Sequence, residues 1–248
     1  MIKFFRRIRQ NLIMENKTSK YFKYAIGEII LVVIGILIAL QINNWNENRK
    51  DRFNENKIVN TLHAEFKQNK KTLDSTLIAL GEAENALSYV LKEVKPKPNI
   101  NLSSKELDSV LLKTISNPFW KRSEYTLRNL ENSGKLSALS NELLKIKIYE
   151  WSLVSTDIRD NDSDATVSFN YLLKYYKENG SLRNIDMYGT QITEGRTALN
   201  YNHIKFFSDL VFENAIDDCL VFMRQRLERY KKAMTLIDEI LTITKTKM

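Results

Sequence analysis

Residues that build disulfides, metal sites and tight turns are scarce in this chain. Its 248 residues include one cysteine, two histidines, seven glycines and three prolines. A single cysteine excludes an internal disulfide framework and any zinc site built from several cysteines. We therefore expect Cys219 to be a small buried side chain on a helix. The few glycines and prolines favour long helices over a turn-rich β fold.

Motifs for catalysis and for cofactor binding are missing from the sequence as well. The histidines His63 and His203 are far apart, and no H-E-x-x-H motif, glycine-rich phosphate loop or G-x-S-x-G sequence occurs. The aspartates between Asp157 and Asp164 lack the glycine and the distal glutamate of a calcium loop, so we expect a solvated helix face there. The sequence predicts no catalytic residue, no metal ligand and no cofactor.

The excess of basic residues is confined to the N-terminus. The net charge is +8, and residues 1–23 contain seven Lys or Arg residues and one Glu, which leaves a net charge of only +2 for the rest of the chain. Basic residues directly before an apolar segment are typical of membrane orientation and contact with anionic lipids. We therefore interpret residues 1–23 as a cytoplasmic, basic, amphipathic segment and expect no nucleic-acid partner.

A largely apolar run follows the basic segment, without a polar side chain from Ile29 to Leu40, and predicts a transmembrane helix at residues 24–42. Nineteen residues form a helix of about 28 Å, which matches a hydrocarbon core of about 30 Å. Tyr21, Tyr24 and Trp45 flank the run as interfacial anchors. A buried helix of a soluble protein and a signal peptide are the alternatives, but no small-x-small cleavage site follows the run. More Lys and Arg precede it than follow it, which predicts a cytoplasmic N-terminus.

A carboxylate lies near the start of this predicted membrane helix. At about 100° per residue, Glu28, Gly35 and Ala39 share one helical face. Gly35 and Ala39 form a small-xxx-small pair, which allows a second helix to approach closely. Glu28 could hydrogen-bond across that contact, extend to the cytoplasmic surface, or belong to a proton or ion pathway. All three interpretations remain open at this point.

The N-terminal sequences FFRRIRQ and SKYFKYAIGEIILVVIGILIALQINNWNE resemble the opening of a family of uncharacterised bacterial single-pass membrane proteins. Members of that family share an FFRxIRQ start and a YAIGEIxLVxIGILIALQxNNWNE span. The segment from Tyr125 to Trp151 is also similar to the family pattern. The resemblance implies a membrane protein of unknown function with no catalytic or ligand-binding residues to transfer. It also implies that Gly27, Glu28, Gly35 and Trp45 belong to an anchor shared within the family.

Residues 43–248 are predicted to form an extracytoplasmic helical bundle. One heptad row runs from Val59 to Val94, where Pro96 and Pro98 should end the helix. A second apolar stripe runs from Ile216 to Leu241, and we expect these two helices to pack antiparallel. Shorter helices are expected after the capping box at Ser103 and after Ser123, and a long one from about Ser140 to Gly180. Residues 180–203 show no helical period. The fold class is all-α: one membrane helix that continues into an elongated antiparallel bundle.

One local patch stands out in the predicted bundle. Phe119, Trp120 and Tyr125 surround Lys121 and Arg122 just after a proline, an arrangement that could bind a partner or ligand at the protein surface. The alternative interpretation is that Phe119 and Trp120 close one end of the bundle as core residues.

These observations predict a membrane-anchored interaction or ligand-sensing module without catalytic activity. Expected partners are the lipid bilayer and membrane or envelope proteins, with self-association through the membrane helix as a further expectation. The expected location is the bacterial inner membrane, with a single span, the N-terminus inside and the C-terminal domain in the periplasm. An envelope-acting enzyme of unfamiliar type and a purely structural spacer are the alternatives.

Overall fold

The computed structural model describes residues 18–189 and 194–245, with the backbone alone for residues 18–21 and Tyr24. Within these ranges all regular secondary structure is helical, as the composition predicts. Most of the predicted N-terminal amphipathic segment, residues 1–17, lies outside the described residues. The elements are α1 (Thr18–Glu93), α2 (Ser104–Thr114), α3 (Tyr125–Asn132), α4 (Glu142–Asn179), α5 (Leu182–Asp186), the 3₁₀ helix His203–Ser208 and α6 (Leu210–Thr244).

The chain divides into two compact units, the N-terminal unit Met1–Lys57 and the C-terminal unit Ile58–Met248. In the N-terminal unit, the large apolar side chains from Ile29 to Leu40 are all 47–63% exposed. This segment makes α1 long and apolar enough to cross a membrane. The apolar run of the sequence is thus a helix whose side chains are not packed in a protein core.

In the C-terminal unit, α1 contributes the heptad rows that the sequence predicts. Phe66, Leu73, Leu80 and Leu87 of the first row are buried. The second row mixes apolar and polar side chains, but its Asn69 is buried too and exchanges two hydrogen bonds of 2.8 and 2.7 Å with the backbone of Ser123. The helix ends at Glu93, shortly before the two prolines, because proline cannot continue the backbone ladder.

The helices α4 and α6 pack along their whole lengths. Their polar contacts pair the beginning of one helix with the end of the other, so residue numbers rise along α4 as they fall along α6. These contacts are Lys147 with Glu239 at 2.8 Å, Asp157 with Arg229 at 3.0 Å and Tyr175 with Asp209 at 2.7 Å.

Contacts between α1 and α6 follow the same opposite order. They are His63 with Thr244 at 2.9 Å, Lys70 with Asp238 at 2.6 Å and Glu84 with Arg224 at 2.9 Å. An aromatic contact joins α1 to α4, since the ring centroids of Phe66 and Trp151 are 5.0 Å apart. The buried apolar side chains of all three helices belong to one cluster. The three long helices therefore share a single core.

The short helices show which capping predictions hold. Ser103 forms the predicted capping box of α2 with Glu106. The prediction that Ser123 caps the next helix is wrong: α3 begins at Tyr125, after Glu124, and that residue makes no side-chain capping bond. Instead, the carboxylate of Glu65 on α1 accepts the backbone N–H of Thr126 at 2.8 Å. A carboxylate from another helix thus accepts a backbone N–H that would otherwise lack a partner in the first turn of α3.

The polar segment after α4 is partly helical, although its sequence shows no helical period. Ser181 accepts the N–H of Asn184 and begins the five-residue helix α5. Asn184 is buried, and its side-chain oxygen accepts the N–H of Thr197 at 2.9 Å. Arg183 donates to the carbonyl of Gly195 at 2.7 Å. Side-chain to backbone bonds, rather than an apolar period, order the described part of this segment.

Candidate interaction surface

The residues predicted for membrane-helix packing all lie on the exposed part of α1. A side chain added at Gly35 would meet no atom within 4 Å, and Ala39 is exposed, so this face is open. Glu28 is half-buried. Trp45 is exposed and lies under the guanidinium of Arg49, 5.4 Å from its ring centroid. The side chains of Tyr21 and Tyr24 lie outside the described residues.

The predicted aromatic and basic patch does not form one surface. Trp120 is buried: its indole N–H donates to Thr72 at 2.9 Å, and its ring packs edge-to-face against Trp151. Its backbone N–H donates to the hydroxyl of Tyr230 at 2.9 Å. Trp120 is thus a core residue, which is the alternative interpretation of the sequence. The reason is that its indole finds a polar partner on α1 while its ring fills the space between α4 and α6.

The side chain of Arg122 is also mostly buried. Its guanidinium donates to the carbonyl of Ser155 at 2.8 Å and forms an ion pair of 3.1 Å with Glu124. Burial by itself raises the pKa of Glu124, but hydrogen bonds from Ser155 and Arg128 and the charge of Arg122 bring that pKa below its ordinary value. Only Phe119, Lys121 and Tyr125 of the predicted patch remain exposed, with the Lys121 ammonium 5.3 Å from the Phe119 ring centroid.

A buried cluster of charged groups ties the polar segment to α2. Asp108 is fully buried, accepts a bond from Arg196 and contacts His203 Nδ1 at 2.8 Å. His203 Nε2 accepts the backbone N–H of Ser181 at 2.8 Å. His203 is therefore neutral with its proton on Nδ1, and burial lowers its pKa. The pair has the composition of a catalytic dyad, but the nitrogen that would act as base is already used by the backbone.

Gly180 makes this cluster possible. A Cβ atom at this position would lie 2.5 Å from Phe206 Cζ and 2.8 Å from His203 Nε2. Any larger residue would push the histidine ring away from Ser181. Gly180 follows the last residue of α4 near the end that the sequence predicts, and the close contacts add a packing requirement for glycine here.

Two aspartates of the cluster on α4, Asp157 and Asp162, pair with arginines of α6, whereas Asp160 and Asp164 lie on the solvated face that the sequence predicts. Asp162 pairs with Arg226 Nε at 2.8 Å, and the Arg226 side chain is 1% exposed. Asp157 pairs with Arg229, but its side chain is 56% exposed. Burial raises the pKa of Asp162, and the positive charge of Arg226 opposes that rise. Within the described residues no group of acidic, histidine and cysteine side chains is placed to hold a metal ion.

An exposed apolar stripe on α4 is a further surface, which the sequence does not predict. Leu143, Ile146, Tyr149 and Leu153 are each 53–63% exposed. At about 100° per residue these positions fall within about 120° of the helix surface and span about 15 Å. The spacing is visible in the sequence, but it resembles any other apolar helix face until the core residues of α4 are known.

A shallow groove runs along one edge of this stripe. Its volume is about 450 Å³ and it lies between α4 and α6. Leu153 and Val154 of α4 and Leu236 of α6 form its apolar part, and Lys147, Glu150, Lys232, Thr235 and Glu239 border it. An open apolar groove next to exposed apolar side chains is a better candidate for protein binding than for a small polar ligand.

Comparison with known proteins places the chain in a family. Residues 28–151 match the Family of unknown function (DUF6090). This chain belongs to that family. No curated protein and no solved structure shows significant similarity to it. The DUF6090 region begins within the apolar part of α1 and ends in the first third of α4. It therefore includes Glu28, the predicted patch, and Leu143, Ile146 and Tyr149 of the stripe, whereas His203 and α6 lie beyond it.

Proposed function

We propose that this DUF6090 protein is a membrane-anchored helical interaction module without catalytic activity. Residues 24–42 cross the bacterial inner membrane once, residues 1–23 remain in the cytoplasm and residues 43–248 lie in the periplasm. The observation that carries the proposal is the exposed apolar run of α1. Exposing about ten large apolar side chains to water would cost on the order of 15 kcal/mol of free energy. Insertion into a bilayer would remove this cost.

The flanks of the run support the same proposal. The sequence preceding it is basic, and Trp45 follows it at the position of an interfacial aromatic residue. The resemblance of residues 19–47 to the anchor of single-pass membrane proteins agrees with this assignment.

We further propose that the C-terminal unit is an antiparallel bundle with the ends of its long helices closed by α2, α3 and the polar segment. The opposite order of the contacts along α6 supports this arrangement, and so does the aromatic contact between α1 and α4. Such a bundle offers long helix faces as binding surfaces, which suits an interaction module.

The chemistry of the buried charges supports a role without catalysis. His203 is bonded at both ring nitrogens, and Arg226 is paired with Asp162. The thiol of Cys219 is buried, and burial raises its pKa to about 12, so it is a poor nucleophile. These groups stabilise the fold and leave no free acid, base and nucleophile together.

Labelling of a cysteine in the C-terminal unit tests the topology. Leu199 is 79% exposed, so Leu199→Cys should leave the fold intact and react with a membrane-impermeant maleimide once the outer membrane is opened. Native Cys219 is the internal control, because it should react only after denaturation. Labelling of Leu199→Cys that requires lysis of the inner membrane would place the unit in the cytoplasm and refute the proposal.

Three variants test whether the anchor also self-associates through Glu28, Gly35 and Ala39. Gly35→Ile would fill the open face, and Glu28→Leu would remove the hydrogen-bonding group. Both should reduce a crosslinked oligomer if helix packing holds it together. Glu28→Gln should keep most of the oligomer if hydrogen bonding suffices, and should behave like Glu28→Leu if ionisation is needed. Unchanged crosslinking in all three variants would leave the span as an anchor only.

A further inference from the structure

We propose that the apolar stripe of α4 and its adjacent groove bind the same surface of a second copy of this chain, with the two α4 helices antiparallel. The stripe consists of Leu143, Ile146, Tyr149 and Leu153. The proposal names a partner for the interaction module proposed above and rests on that function.

The positions of the projecting side chains and of the groove support self-recognition. Leu143 projects at the N-terminal end of the stripe, whereas the apolar part of the groove lies beside Leu153 and Val154, beyond the bordering Lys147 and Glu150. The two features are separated by about 15 Å along one helix, so Leu143 cannot fill the groove of its own chain. A two-fold axis near residue 148 would place Leu143 of each copy over the groove of the other. Such a contact is isologous and closes as a dimer.

The charges beside the stripe select the antiparallel orientation. Lys147 and Glu150 lie on the same edge of the stripe, about 60° apart around the helix. In an antiparallel two-fold pair, the same edge of the stripe in the two copies meets. Lys147 of one copy then faces Glu150 of the other, and Glu150 of the first faces Lys147 of the second. A parallel two-fold pair would bring opposite edges together, so Lys147 and Glu150 of the two copies would not meet and this charge pairing would be lost. Lys147 already bonds Glu150 and Glu239 within its chain at 2.7 and 2.8 Å, so the dimer would extend an existing network.

The residues that follow the stripe argue against a lipid surface as the occupant. Asp160 and Asp164 are exposed and continue the line of the stripe along α4. Carboxylates at these positions would repel an anionic bilayer. A second protein surface with matched charges fits the observed side chains better.

Cysteine crosslinking of the full chain in native membranes tests both contact and orientation. Tyr149 is close to the proposed two-fold axis, so Tyr149→Cys should form a disulfide-linked dimer under mild oxidation. Leu143→Cys alone should not, because its own copies would be about 15 Å apart. Co-expression of differently tagged Leu143→Cys and Leu153→Cys chains should give the heterodimer. Ile78→Cys, at an exposed position of α1, is the control for random collisions.

A charge placed in the stripe provides the second measurement. Tyr149 is 63% exposed, so Tyr149→Glu should keep the helix content. It should nevertheless remove most of the crosslink between Leu143→Cys and Leu153→Cys. A dimer that persists with Tyr149→Glu would refute the proposed surface.

The outcomes separate this proposal from that of the anchor. Crosslinking of Tyr149→Cys no stronger than that of Ile78→Cys would overturn the dimer surface, and self-crosslinking of Leu143→Cys would overturn the antiparallel orientation. Sedimentation of the same cells reports on anchoring: chains in the soluble fraction would contradict the membrane function whether or not they crosslink. Chains that sediment with the membrane but do not crosslink would contradict only the dimer.

Discussion

Replacing one aspartate of α4 should reveal how strongly the C-terminal unit depends on a buried ion pair. Arg226 is 1% exposed, and its Nη1 donates to Asn117 at 2.7 Å and to the carbonyl of Pro118 at 3.1 Å. Asp162 supplies the negative charge, 2.8 Å from Nε. Asp162→Ala would leave the guanidinium buried without a counter-charge, because arginine cannot lose its proton at an accessible pH.

The structure also sets the expected magnitude. Breaking a buried ion pair costs about 3–5 kcal/mol. Asp162 is 21% exposed, so water can partly replace it and the lower end, about 3 kcal/mol, applies. For a unit of this size the loss corresponds to a fall in Tm of about 6–12 °C. Asp157→Ala is the matched control: it removes the same side chain from the same helix and also unpairs an arginine, but Asp157 is 56% exposed. Its cost should be at most about 1 kcal/mol.

Thermal unfolding of the full chain in detergent, followed by far-ultraviolet circular dichroism, measures both variants. The double variant Asp162→Leu with Arg226→Met should recover part of the loss, since apolar side chains of similar size remove the buried charge. Equal Tm values for Asp162→Ala and Asp157→Ala would show that Arg226 is not buried as described, and the packing of α4 on α6 would need revision.

Four further outcomes follow from particular contacts. Because burial lowers the pKa of His203, its contribution to the free energy of unfolding should be constant above the ordinary histidine pKa of about 6.5 and fall as the pH drops below it. His203→Gln should flatten this pH dependence in denaturant titrations. The lowered pKa of Glu124 acts at more acidic pH: its contribution to stability should be complete above the ordinary glutamate pKa of about 4.5 and decrease below it. The difference in free energy of unfolding between the wild type and Glu124→Gln should therefore shrink below that pH. Gly180→Ala should destabilise the unit, whereas Gly81→Ala, at an open helical position, should not. Leu73→Asp should unfold the C-terminal unit, while Ile78→Asp, five residues further on and on the exposed side, should leave its helix content unchanged.

Most of the helices could be predicted from local sequence. The heptads of α1, the capping box at Ser103 and the prolines after Glu93 act over a few residues, so their effect does not depend on the rest of the fold. The apolar run needed no tertiary information either, because its length and its twelve consecutive apolar residues are properties of the sequence itself.

Contacts between distant residues could not be predicted in this way. Nothing near Ser123 indicates that Glu65 caps α3, since the two residues come together only when α1 packs beside that turn. The buried position of Trp120 and the half-buried position of Arg122 likewise depend on Thr72, Tyr230 and Ser155, which lie on three different long helices. Local composition leaves both an exposed patch and a core role open, because it contains no information about these partners.

The helical character of the chain and the presence of a helix apolar enough to cross a membrane follow from the sequence alone, since periodicity and apolar length are local quantities. Which charged and aromatic side chains are buried depends on how distant segments pack. A guanidinium such as that of Arg226 can leave water when another helix supplies a carboxylate at the right distance, and the sequence does not encode that distance in any single segment. For the same reason the stripe on α4 became visible only after the other faces of that helix were occupied by the core.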